Sequence, residues 1–208
     1  MIPTYSRHLF VAALLMTVAA CQTEDKAPQP RYVSNSAGRG AAATLQPASA
    51  AQVDAKASPS PQDNRYFIEF RSRYALSYGH TYVVFGKQNK AGGMISPEVA
   101  GLHPKSMSEV PYVLGHFVPV PAETGWSDGD LEEQYRSASW RVMLTEAQYR
   151  DVVAEIRELQ KTSPTWQAAI YNCNAFVAAI ARTMGYKTPP VQIRPQEFVT
   201  KLREMNTG

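Results

Sequence analysis

Two kinds of hydrophobic spacing divide the chain. In the first half, "YFIEF" (66 to 70) and "HTYVVFG" (80 to 86) are short β-branched and aromatic runs, the second closing at Gly86 before the polar turn "KQNKAGG". They predict two sheet strands. "MISPEV" and "GLH" follow, then "YVLGHFVPV" (112 to 120) reads as another strand, demoted at its end to an edge by the prolines of "VPVP". "ASWRVMLT" (138 to 145) predicts a last strand leading into a helix.

From there the period changes to that of a helix. Thr145 with Gln148 forms a capping-box start, and Tyr149, Val152, Val153, Ile156 and Leu159 recur on one face, with Arg150, Glu155, Arg157 and Glu158 mostly on the other. This helix is expected to lie on the sheet and to stop near "KTSP". A second begins near Asn172, a good N-cap residue, and ends at "MGYKTPP", where Gly185 is the stop signal and the prolines forbid continuation. A third opens at Pro195, with Phe198, Val199 and Leu202 inward. The pattern has no internal repeat and predicts one α+β domain over residues 65–208.

Residues 22 to about 63 have no such pattern. They are rich in Ala, Ser, Pro and Gln with hardly a large apolar side chain, so the stretch up to residue 64 is expected to be a disordered tether. A flexible chain of about 40 residues reaches some 30 to 40 Å on average. Ahead of it, Arg7 and His8 precede an apolar run from Leu9 to Ala20, too short to span the roughly 30 Å hydrocarbon core as a helix. "LLMTVAAC" resembles a bacterial lipoprotein signal. The resemblance implies a signal peptide over residues 1–20 and acylation of Cys21, which would hold the protein on a membrane through lipid chains. It also implies a location in the cell envelope. Gln22 after Cys21 resembles lipoproteins sorted to the periplasmic face of the outer membrane, where there is one, and otherwise the site is the outer face of the cytoplasmic membrane.

Composition narrows the partners. A hydrophobic content of 44% is ordinary for a globular chain, and 21 Lys and Arg against 18 Asp and Glu give a formal charge of +3. That charge is too mild to suggest nucleic acid as a partner.

The chain has two cysteines. With Cys21 consumed by a lipid, Cys173 has no disulfide partner within the chain in an oxidising compartment. Cys173, Phe176, Val177, Ile180 and Met184 share one helical stripe, so the thiol is expected to face the core. Two readings fit, a space-filling core cysteine or a nucleophile whose thiolate is stabilised by the helix N-terminus, with a lowered pKa. A nucleophilic thiolate needs a base, usually histidine, held by a third polar group. The domain offers His80, at the start of a strand with Tyr82 and Val84 on its own face, together with His103 and His116.

"GHTYVVFG" followed by "NCNAFVAAIA" resembles the circularly permuted branch of the NlpC/P60 papain-like superfamily, to which the lecithin:retinol acyltransferase-like proteins belong. The resemblance implies a papain-like antiparallel sheet packed against helices, with Cys173 as nucleophile and His80 as base. The third catalytic position falls to His103, because folding the hairpin about Lys90 brings residues 100 to 103 back opposite His80; His116 is the alternative. Asn172 and Tyr78 are candidate second donors to an oxyanion, beside the N–H of Cys173. The implied activity is that of a membrane-tethered cell-envelope thiol hydrolase or acyltransferase on an amide or ester, with a cell-wall peptide or a lipid acyl group as substrate and no cofactor. The alternative is a non-catalytic envelope lipoprotein that uses the same fold as a binding or scaffolding module.

Other signals carry less. Asp128, Asp130, Glu132 and Glu133 lack the regular alternation of a calcium loop and are expected to form a solvated turn. The histidines and Cys173, spaced by 23, 13 and 57 residues, match no short-loop zinc motif, so no metal is expected.

Overall fold

Alternation of side chains along the strands Tyr66–Arg73 and His80–Gln88, paired without a register shift, sets the layers of the molecule. The computed structural model describes residues 65–75, 78–106 and 108–208; the expected signal peptide, Cys21 and the expected tether lie outside the described residues. The strands are β1 (Tyr66–Arg73), β2 (His80–Gln88), β3 (Met94–Gly101), β4 (His103–Pro104), β5 (Val120–Glu123), β6 (Arg136–Leu144) and β7 (Thr165–Trp166). The helices are α1 (Val110–Leu114), α2 (Glu146–Thr162), α3 (Cys173–Thr183) and α4 (Pro195–Thr207). An antiparallel sheet runs β3-β2-β1-β6, and a smaller one runs β4-β5-β7. The fold is α+β, with antiparallel sheets packed against helices.

In the main sheet Ile68 lies opposite Phe85 and Val142, and Phe70 opposite Val83 and Trp140. These side chains share one face, and the helices cover it with Val152 and Ile156 of α2, Phe176, Val177 and Ile180 of α3, and Phe198, Val199 and Leu202 of α4. Each buried aliphatic or aromatic side chain there contributes about 1.5–3 kcal/mol relative to exposure. The helix ends follow their capping chemistry. Thr145 and Gln148 exchange both capping-box hydrogen bonds, at 3.2 and 2.9 Å. At the far end of α3, Gly185 takes φ +81°, and the N–H of Tyr186 reaches the Ala181 carbonyl at 3.0 Å.

The opposite face alternates with the first and mixes charged with apolar side chains. Glu69, Arg71 and Arg73 are all buried beside Phe67, Tyr82 and Val84. Glu69 pairs with Arg71 at 2.9 Å and Arg141 at 2.6 Å, and Arg71 also reaches Glu133 at 2.9 Å. Arg73 donates to Asp130 at 2.6 Å, both side chains being fully buried. Asp130 also accepts from the Ser127 N–H and hydroxyl, and its own carbonyl accepts from the Tyr82 hydroxyl at 2.6 Å. The stretch expected to be a solvated turn is therefore the cover of this face. Asp130 is drawn inward because Arg73, whose position in β1 turns it away from the helices, needs a counter-charge out of water.

A second departure concerns residues 112 to 120. The expected strand is instead α1 followed by turns, and only Val120–Glu123 pairs as a strand. Pro111 presets the first helical turn, and Gly115 lies so close to Trp166 that a Cβ there would come within 2.3 Å of the ring. The segment rests on Trp166 through Gly115 and Tyr112.

The Arg73–Asp130 pair yields a stability prediction. Asp130→Ala leaves the Arg73 charge buried without its partner and lowers the unfolding free energy by about 3–5 kcal/mol in urea denaturation. Glu69 supplies a pH dependence. Burial opposes its ionisation, but the guanidinium groups of Arg71 and Arg141 outweigh it and hold the carboxyl below its ordinary 4.5. Its stabilisation is therefore complete above about pH 4.5 and lost as the pH falls through the lower, folded-state value. Glu69→Gln flattens that acid limb in pH-dependent unfolding.

Candidate active site at the head of the cysteine helix

Three consecutive residues fasten the start of α3. Asn172 is its N-cap, its side-chain oxygen accepting from the Ala175 N–H at 3.0 Å, while its amide donates to the carbonyls of Ala168 at 2.7 Å and Val191 at 3.0 Å. Asn174 is fully buried. It donates to the carbonyls of Val191 and Ile193 at 3.1 and 2.8 Å and accepts from the Thr81 hydroxyl at 2.6 Å. Cys173, between them at the first helical position, is a buried free thiol fixed against β2.

Helix-end electrostatics alone predict a lowered thiol pKa, and the structure corrects this. Removal from water pushes the Cys173 thiol up and outweighs the N–H groups of Thr81, Asn174 and Cys173 itself, which favour the thiolate. A helix terminus contributes about 0.3–1 kcal/mol, or up to about 2 when partly buried, while full burial can shift a group by several pKa units. Two phenols lie within electrostatic range of the sulfur. Tyr78 donates to the Ile193 carbonyl at 3.0 Å; the hydroxyl of Tyr112 is buried and has no hydrogen-bond partner among the described residues.

The histidines gather on the other side of the strand. β2 turns at Asn89, whose side chain caps the N–H groups of Ala91 and Gly93, and β3 returns with Gly101 opposite Tyr82. His103 follows two residues later, its ring edge-on to that of His80 with centroids 5.9 Å apart. His80 also stacks on Tyr82 at 5.6 Å. Its Nε2 stands 2.9 Å from where a Cβ of residue 101 would lie, so only glycine fits there. His103 Nδ1 lies 3.1 Å from the Pro104 carbonyl, which assigns the proton to Nδ1 and leaves Nε2 an acceptor. The Nε2 atoms of both rings are buried without a partner among the described residues. Burial depresses both basicities, with Arg73 and the neighbouring ring adding to the effect on His80.

The candidate residues thus fall into two adjoining sets. Cys173 lies with Thr81, Tyr78 and Tyr112; His80 lies with His103, Tyr82, Arg73 and Asp130. Thr81 and His80 are neighbours in β2 and face opposite ways, and no hydrogen bond joins Cys173 to His80 or His103 among the described residues. His116 belongs to neither set: it is exposed, with Nδ1 2.9 Å from the Tyr112 carbonyl and its ring edge-on to Trp166. Among the described residues no group of three or more His, Cys, Asp or Glu side chains is placed to hold a metal ion.

Sequence reading missed Thr81, Asn174, Tyr112 and Asp130. The doubled asparagine of "NCN" is the one local signal for Asn174; the others come together only through the fold. Comparison with family models, with curated proteins and with solved structures finds no match to this chain.

The thiol environment predicts that Cys173 alkylates with an apparent pKa above 9, its ordinary value. The pH dependence of iodoacetamide labelling in the folded protein measures it.

Proposed function

We propose that the chain is a membrane-tethered cell-envelope enzyme with a permuted NlpC/P60, papain-like domain, hydrolysing or transferring an acyl group through Cys173. The order of elements supports this reading: a histidine opening a strand, a hairpin, and an Asn-Cys helix laid on the same sheet. The single observation that carries the reading is the set of buried polar atoms around the start of β2 and the head of α3 that have no partner among the described residues, His80 Nε2, His103 Nε2 and the Tyr112 hydroxyl. Each such atom costs a fold about 1–3 kcal/mol, and native chains keep few of them.

In the reaction, the Cys173 thiol gives its proton to His80 Nε2 as the sulfur adds to the substrate carbonyl. The tetrahedral oxyanion takes hydrogen bonds from the Cys173 N–H and from the Tyr112 hydroxyl, because both amide hydrogens of Asn172 and the hydroxyl hydrogen of Tyr78, the donors expected from sequence, already serve backbone carbonyls. The imidazolium returns the proton to the leaving amine or alcohol as its bond to carbon breaks, leaving a thioester that water or an acceptor alcohol or amine resolves. This requires the Cys173 and His80 side chains to meet around the end of β2 when substrate enters. His80 is the strand's first residue and follows Gly79, whose φ is +100°. His103, edge-on to His80, orients the base. The substrate is a cell-wall peptide amide or a lipid acyl ester.

Membrane attachment belongs to the same reading and comes from the lipid on Cys21. No helix of the described residues is long and apolar enough to cross a membrane.

A second reading, a binding or scaffolding module of the same fold, is favoured by one observation: Cys173 lies on the Thr81 side of β2 and His80 on the Tyr82 and His103 side, with no hydrogen bond between them among the described residues. Turnover separates the two. With a p-nitrophenyl ester, the enzyme reading predicts a burst of nitrophenolate equal to the protein concentration, absent in Cys173→Ala and slowed about 10²-fold or more in His80→Ala. A scaffold shows no difference between wild type and Cys173→Ala.

A further inference from the structure

The segment between β4 and β5 turns its apolar residues outward. Val110, Val113, Leu114, Phe117 and Val118 are spaced i, i+3, i+4, i+7 and i+8, the pattern of a helix that packs on a core, yet all are exposed, Phe117 by 79% and Val110 by 67%. Turns extend α1 through this stretch, with the N–H groups of Phe117 and Val118 both reaching the Leu114 carbonyl. Its inner side is already occupied, since Gly115 and Tyr112 lie against Trp166. The Gly115 carbonyl also accepts from the Ala168 N–H at 3.0 Å, tying the segment to the turn that carries Ile170, itself 76% exposed, three residues before Cys173.

We infer that this stripe docks the domain onto the acyl-chain region of a phospholipid bilayer, bringing the Cys173 end of α3 towards the membrane surface. The inference rests on the tether proposed at Cys21: the 44 residues from there to Arg65 keep the domain within reach of the bilayer, so a weak surface is enough. The chemistry of the stripe favours lipid over protein. It is made of Val, Leu and Phe, with no Asp, Glu, Lys or Arg from Val110 to Pro121, and it lacks the Trp, Tyr and Arg anchors that dominate protein–protein hot spots. A stripe that presents aliphatic side chains and one exposed phenylalanine suits shallow insertion at the boundary of headgroups and chains.

The test makes the tether by chemistry, so that it is independent of acylation in the cell. The chain from Cys21 onward, in a Cys173→Ala background, is coupled through Cys21 to a maleimide phospholipid in phosphatidylethanolamine/phosphatidylglycerol vesicles with brominated acyl chains. Phe117→Trp reports the stripe, and Lys201→Trp on α4 serves as reference. Docking predicts that the emission added by Phe117→Trp shifts to the blue on coupling and is quenched by the brominated chains, whereas that of Lys201→Trp is not; adding Val113→Asp abolishes the quenching with coupling intact. Equal, solvent-like emission from both reporters overturns the inference. So does a blue shift present before coupling, which assigns the stripe to a second copy if it depends on concentration and to residues 21–64 if it does not. If the chain isolated from cells carries no lipid mass on Cys21, the tether reading fails while the docking result stands.

Discussion

Because side chains of a strand alternate, one residue of β2 faces the helices and the next faces away, and the whole candidate site is arranged around that step. Thr81 turns towards α3 and engages Asn174 and Cys173; His80 turns towards Tyr82, His103 and the buried arginines. The same alternation in β1 sends Phe70 into the core and Arg71 and Arg73 out of it, which in turn draws Glu69, Glu133 and Asp130 into place. A slip of one residue in this register would set the charges against the helices and the apolar set against Asp130 and Glu133. Thiol and imidazoles are consequently held by the elements that hold the core.

Burial then decides the protonation states. Cys173 sits among several N–H donors at a helix start, and His103 has a carbonyl on one ring nitrogen and Asp130 within electrostatic range, yet removal from water outweighs these influences in both. Burial thus favours the neutral thiol on one side of β2 and the neutral imidazoles on the other, and the proton moves only when a carbonyl arrives to take the developing negative charge. A site of this kind alkylates slowly near neutral pH and depends on an entering carbonyl compound to bring its two sides together.

Much of the scaffold was legible because local chemistry wrote it. Thr145 with Gln148, Asn172, Gly185 and Pro195 each mark a helix boundary through capping or dihedral preference, and the turn about Lys90 sufficed to bring His103 back to His80. What stayed hidden was tertiary. The run 112–120 has β-branched residues, but Trp166, distant in sequence, takes Gly115 against its ring and leaves the segment on the surface. Asp130 reads as one acid in an acidic turn until Arg73 is seen to need it. The sequence places His80 on one face of a strand without saying which face the helices cover, and the thiol's expected activation failed because burial is a property of the packed chain.

The account's central claim is that Cys173 carries an acyl group during turnover. Intact-mass analysis of the protein mixed briefly with an activated ester and quenched in acid tests it most directly, followed by peptide mapping of any adduct. The prediction is one added acyl mass, located on Cys173 and released by hydroxylamine as a thioester. Turnover without an adduct on Cys173, or the same adduct and rate in Cys173→Ala, would contradict it.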